Sequence, residues 1–236
     1  MVENILVESS GHECDVRIDT WLKDLLPRTP GINRKVAKRE LLLAIREFYE
    51  QSASWRVVIG PRDSRANKRR YILSPYDAYA NIVQVLSVEY MGYSLKALTR
   101  RPAGTEPTAD RPTSFYLEDP DHVRVWPTPA TTVEDALTFH VALTPKMSVT
   151  HVPRIAATNH YDALLDGALG RIYSHPAKPY SNPQLGAYHL QRFRAALVST
   201  RDARRQATQA LPRGSTPGMG SDSCAAGSIT KRDRSA

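Results

Sequence analysis

Between residues 33 and 55 the apolar positions recur at intervals of three and four, with no Pro or Gly to interrupt them, which predicts the central helix of the protein. Val36, Leu41, Ile45, Phe48 and Tyr49 make its expected buried face, and Arg34, Lys35, Lys38, Arg39, Arg46 and Glu50 occupy the remainder. A shorter amphipathic helix is predicted over 15–26, with Ile18, Trp21, Leu22 and Leu25 on one side and Pro27 as its stop. Pro27, Pro30 and Gly31 break the chain between the two helices.

After Trp55 the period changes from 3.6 to 2. Runs at 56–59, 70–73, 81–90, 114–118, 122–126 and 136–143 are rich in Val, Ile, Tyr and Phe and are predicted as strands. Glu118-Asp119-Pro120-Asp121 reads as the turn of a hairpin. Segments 60–68 and 98–113, rich in Pro, Gly and charge, read as loops, and the second is long enough to suggest a contact arm. Helical spacing returns after Pro153, where Tyr161, Leu164, Leu165, Ala168, Leu169 and Ile172 form a stripe ended by His175-Pro176. Gly167 and Gly170 inside that stripe mark where a neighbouring helix can come close. Ser181-Asn182-Pro183 signals the start of a last helix that carries Leu190, Phe193 and Leu197 and runs to about Ala210.

None of these helices is long enough to stand alone, so the stripes from the two ends of the chain must bury on each other. The expected fold is α+β: a four-helix body from 15–55 and 155–210 and a β-rich insertion over 56–154. An N-terminal extension covers 1–14, and the 211–236 tail, almost without bulky apolar residues, is expected to be a disordered, flexible C-terminal extension. Phe48, Trp55 and Phe193 are the expected structural anchors, Trp55 because it lies where one period gives way to the other.

A chain of 236 residues with 41% apolar content can bury a real core. Its longest strongly apolar block is residues 41–45, and acids stand where a secretory signal would carry Lys or Arg, so neither export by such a signal nor a membrane span is expected. With Cys14 and Cys224 near opposite ends, a disulfide framework or cysteine zinc site is not expected either, and a reducing cytoplasm would suit the chain.

The net charge of +8 permits contact with nucleic acid without demanding it. What changes the picture is how the charge is distributed. Glu3, Glu8, Glu13, Asp15, Asp19 and Asp24 load the start, whereas Arg28, Arg34, Lys35, Lys38, Arg39 and then Arg62, Arg65, Lys68, Arg69 and Arg70 follow. Opposite patches on one subunit are what a head-to-tail ring uses.

Candidate chemistry is sparse. The acids Glu118, Asp119 and Asp121 beside Pro120 read as a solvated hairpin tip rather than a metal cluster. The seven histidines, expected mostly at the surface or as caps, lack metal-ligand spacing, and none of the nucleophile-elbow, dinucleotide or P-loop patterns occurs; GSTPGMG at 214–220 has no strand before it. Cys14 reads as a small surface cysteine. Tyr76, Tyr79, Tyr90, Tyr93, Phe115 and Tyr116, interleaved with the basic 62–70 stretch, could stack on single-stranded nucleic acid, but strand propensity accounts for them. No cofactor, metal or catalytic residue is assigned, and no enzyme is expected.

Several residues together carry a family likeness. Phe48, Ser52 and Trp55 close the central helix; Phe115-Tyr116-Leu117 leads through a hairpin to Val123, Val125, Pro127 and Pro129; a strand ends at Thr144-Pro145; and Pro153 precedes the helix with Gly167-Ala168-Leu169, Ile172 and Tyr173. In this order, from about Ile18 to Ala207, the chain resembles the head-to-tail adaptors of tailed bacteriophages, most of all the tail tubular protein A type, also called connector or gatekeeper-ring proteins.

The resemblance implies a non-catalytic virion protein, made in the host cytoplasm and placed at the head–tail junction. It implies a homo-oligomeric ring of twelve copies around the DNA channel, with the phage portal protein on one side, the tail nozzle or other tail proteins on the other, and genomic DNA only non-specifically near. On this chain, Lys35, Lys38 and Arg39 become the expected lateral contact. Arg201, Arg204, Arg205, Lys231, Arg232 and Arg234 become the expected portal contact. The alternatives are a basic nucleic-acid-binding protein, supported by charge alone, and a different phage neck or tail-completion protein.

Overall fold

A computed structural model describes residues 15–74, 79–102 and 108–210, so the expected extensions over 1–14 and 211–236 lie outside the described residues. The chain is α+β, as expected. Among the described residues there are five helices: α1 (Asp19–Arg28), α2 (Arg34–Ser52), the short α3 (Arg154–Asn159), α4 (Tyr161–Tyr173) and α5 (Pro183–Ala210).

The first predicted helix starts later than its pattern suggested. Residues Asp15–Arg17 form a strand, β1, which pairs antiparallel with β10 (His151–Pro153), Val16 opposite Val152. Pro27 does not stop α1 either, because in the last turn its missing N–H costs one bond at most. The end is closed by Thr29, whose N–H bonds the Leu26 carbonyl at 3.2 Å and whose hydroxyl bonds the Leu25 carbonyl at 2.9 Å.

Asn33 caps α2 by accepting the Lys35 N–H at 2.8 Å. The helix stops at Ser52, three residues short of Trp55, because Ala53 turns left-handed (φ 47°) and returns its N–H to the Tyr49 carbonyl. The buried face is broader than the predicted stripe. Ala37, Leu42 and Ala44 join Leu41, Ile45, Phe48 and Tyr49 inside, while Val36 is only half-buried.

Two four-stranded sheets fill the middle of the chain. One has the order β2-β9-β4-β5, from β2 (Arg56–Ser64), β4 (Ala80–Tyr90), β5 (Tyr93–Ser94) and β9 (Val133–Pro145). The other has the order β3-β8-β7-β6, from β3 (Arg70–Ile72), β6 (Lys96–Leu98), β7 (Ser114–Asp119) and β8 (His122–Trp126). The predicted hairpin is β7–β8, with Phe115 opposite Val125.

Residues 60–64, expected in a loop, instead continue β2 through a cis Gly60-Pro61 bond and a register shift against β9. Gly60 is required there: its φ is +125°, and a Cβ would lie 2.7 Å from the Leu137 carbonyl oxygen. The long 98–113 connection also has a topological reason. β6 and β7 pair in parallel, and a parallel connection must run back along the strand before pairing.

Buried side chains form two clusters. One joins α1, α2, α4 and α5 through Trp21, Leu41, Phe48, Leu169 and Phe193, and the other lies between the sheets around Ile59, Tyr71, Val123, Leu137 and Phe139. Trp55 is half-buried and packs against both. Its carbonyl also accepts the Leu143 N–H at 2.8 Å, so the exit from α2 is bonded to β9. Because only part of this ring leaves water, Trp55→Ala should cost about 2 kcal/mol, below the range of roughly 3–5 kcal/mol for a fully buried large aromatic. Urea unfolding followed by circular dichroism measures it, and an unchanged midpoint would show that Trp55 couples nothing.

Candidate assembly surfaces

Lys35 and Arg39 stand exposed on α2 with Lys38 half-buried beside them, and none of the three makes an ion pair with a described residue. Their neighbour Arg34 differs: it donates to Asp19 Oδ1 at 2.7 Å, while Arg17 reaches Asp19 Oδ2 at 3.1 Å. The Arg34 hydrogen bond, helped by Arg17, holds the Asp19 carboxyl below the usual carboxylate range. Asp24 accepts the Tyr161 hydroxyl at 2.5 Å, and burial with that carboxylate pushes the phenol upward. Two acids of the N-terminal group thus have partners in their own chain, and Glu3, Glu8 and Glu13 lie outside the described residues.

The basic end of α5 is divided. Arg201 is exposed. Arg204 turns inward and its Nη1 donates to the carbonyls of Ser52 at 2.6 Å and Ala53 at 3.3 Å, closing the C-terminus of α2. The charge expected at the portal from this residue is therefore engaged within its own subunit. The Arg205 side chain, Lys231, Arg232 and Arg234 lie outside what the structure describes.

Phe48 and Phe193 are both buried, their ring centroids 6.2 Å apart. Beside them is a polar contact that the sequence reading missed. Asp166 of α4 and His189 of α5, both buried, face each other at 2.8 Å, and Arg192 Nε reaches the other Asp166 oxygen at 3.1 Å. Its signal was Asp166, an acid set between the apolar pairs Leu164-Leu165 and Ala168-Leu169, with His189 and Arg192 three apart on α5. The expectation that the histidines lie mostly at the surface or in caps does not hold for His189, because its partner sits across a helix interface.

Two acids of the β7–β8 tip have partners: Glu118 meets the guanidinium groups of Arg124 at 2.7 Å and Arg70 at 3.6 Å, and Asp121 lies 2.7 Å from His122 Nδ1. The aromatic residues do not share a face. Tyr90, Phe115 and Tyr116 are buried, Tyr79 and Tyr93 are exposed, and Tyr76 lies outside the described residues. Among the described residues no group of three His, Cys, Asp or Glu is placed to hold a metal, and no helix is long and apolar enough to cross a membrane.

Residues 15–216 match the family model described as SU10 adaptor protein, and the chain belongs to that family of phage head-to-tail adaptors. No curated protein matches it. The chain is accordingly a phage adaptor and a virion structural protein, with partners among phage portal or tail proteins.

His160, between α3 and α4, packs its ring 4.6 Å from Phe48, and burial lowers its pKa from 6.5. The folded state thus favours the neutral ring. The resulting stability is fully present above the unfolded value of about 6.5 and is lost as pH falls below it. Between about pH 7.5 and pH 5.5 the melting temperature should fall further in the wild type than in His160→Gln. Equal falls would show that His160 does not carry this dependence.

Proposed function

We propose that this adaptor assembles as a closed ring of twelve copies at the head–tail junction, joining the portal to the tail and surrounding the DNA channel. In this reading residues 15–55 and 155–210 build the ring, residues 56–154 face the tail nozzle, and the 211–236 extension docks on the portal. Genomic DNA passes near without being read. The family match over 15–216 supports an adaptor role. The observation that carries lateral assembly is the α2 face, where Lys35, Lys38 and Arg39 have no ionic partner among the described residues while adjacent Arg34 has one.

A ring closes through two different patches on each subunit, so a cationic patch on α2 calls for an acidic surface on the next copy. Asp19 and Asp24 are already engaged, which leaves Glu3, Glu8, Glu13 and Asp15 as the acids of the chain start from which its partners come. Replacing Lys35, Lys38 and Arg39 with Glu should shift the protein to smaller species in light scattering coupled to size exclusion, with the helical circular-dichroism signal retained. Normal assembly of that variant would contradict the electrostatic lateral contact.

Portal docking is assigned to the segment beyond α5 together with Arg201 and Arg205, without Arg204. The extension has too little bulky apolar content to build a core of its own, and such a segment can order along a partner's cleft, with Lys231, Arg232 and Arg234 contributing charge at the rim. A chain ending at Ala210 should keep the wild-type melting temperature and lose pull-down of purified portal. Equal portal capture would assign docking to the helices.

A further inference from the structure

Among the described residues β2 lies at one edge of its sheet and pairs only with β9. The bond from Leu143 N–H to the Trp55 carbonyl fixes the phase of that ladder. Trp55 and Leu143 are a hydrogen-bonded pair, and by alternation so are Val57 with Val141 and Ile59 with Phe139. The N–H and C=O groups of Arg56 and Val58 therefore point away from β9, and among the described residues no hydrogen bond reaches them. Val58 is 50% exposed, and Arg56 is exposed without an ion pair to a described residue. The other edge strands among the described residues, β1, β3, β5, β6 and β10, span only two or three residues. Pro61 has no N–H and limits the open stretch of β2 to 56–59. Such an edge is a template for an added strand.

The chain contains a sequence suited to that template. Ile5-Leu6-Val7-Glu8 is a β-prone apolar run ending in an acid; it lies before β1, which begins at Asp15, and outside the described residues. Laid antiparallel on β2 with Leu6 opposite Val58, it sets Glu8 opposite Arg56, Val7 opposite the half-buried Val57, and Ile5 opposite Ile59. Charge meets charge on the outer side, and the aliphatic residues meet on both faces. A shift of one residue places Val7 or Ser9 opposite Arg56 and loses the ionic pair.

We infer that residues 5–8 of one copy add as an antiparallel strand to the open edge of β2 in the neighbouring copy. The inference rests on the ring reading given under Proposed function. Arm and edge are different surfaces, so each copy donates one and receives one, as a heterologous ring contact requires. The four main-chain groups of Arg56 and Val58 supply the bonding, and the aliphatic and ionic pairs fix the register.

Disulfide cross-linking between two separately made proteins tests it. Both carry Cys14→Ser and Cys224→Ser; one adds Leu6→Cys and the other Val58→Cys. A hydrogen-bonded antiparallel pair holds its Cα atoms about 5.5 Å apart, within disulfide reach. After mixing and mild oxidation, a covalent dimer that reductant removes is expected, and Val7→Cys in place of Leu6→Cys should give less of it. A chain lacking residues 1–9 should melt unchanged and lose assembly in light scattering. If assembly persists but no mixed dimer forms, the arm contact is wrong and the ring stands. A chain carrying both Leu6→Cys and Val58→Cys that closes only on itself would also overturn the contact between copies. If no assembly occurs, with or without portal, the ring reading fails and this inference fails with it.

Discussion

The close approach of α4 to α5 sets the geometry of the helical core. A Cβ at Gly167 would lie 2.8 Å from the Phe193 ring and 3.0 Å from the Ala44 Cβ, and one at Gly170 would lie 2.7 Å from Leu190. Two glycines thus let α5 lie almost directly on α4, and the space they leave admits the Phe193 ring between α4 and α2. At interior packing density an added methyl cannot be absorbed there without moving a helix. Beside this contact the buried Asp166 carboxylate meets His189 and Arg192 of α5, so the register of α5 on α4 is the one that satisfies a buried acid.

Once α5 is seated, its far end closes α2. Arg204 bonds the last carbonyls of α2, where Ala53 turns left-handed and sends the chain through Trp55 into the sheet. One short passage of chain therefore joins the last helix, the central helix and β9.

The parts of this fold legible in the sequence are those where a local pattern and the tertiary structure agree. Leu41, Ile45, Phe48 and Tyr49 are buried on α2, the β7–β8 turn is a hairpin turn, Asn182 caps α5, and the two glycines mark a helix contact. The illegible parts depend on partners distant in sequence. Val16 is a strand residue only because Val152 is there to pair with it, and 60–64 stays in the sheet because β9 carries it past Pro61. Basic charge at the end of α5 pointed outward as a composition, but Arg204 has carbonyls within reach that no local pattern records. Charge segregation was legible in the sequence and its pairing was not: Asp19 sits in the acidic group, yet Arg34 of its own chain takes it.

In the proposed ring neighbours meet by unlike patches, and among the described residues the fold leaves two such surfaces without a partner: the cationic face of α2 and the outer edge of β2. The most direct measurement is an electron cryo-microscopy map of the head–tail junction of a particle carrying this chain. The account predicts a closed ring in which copies of this fold touch portal on one side and tail on the other. Isolated copies, or this fold located away from the junction, would contradict it.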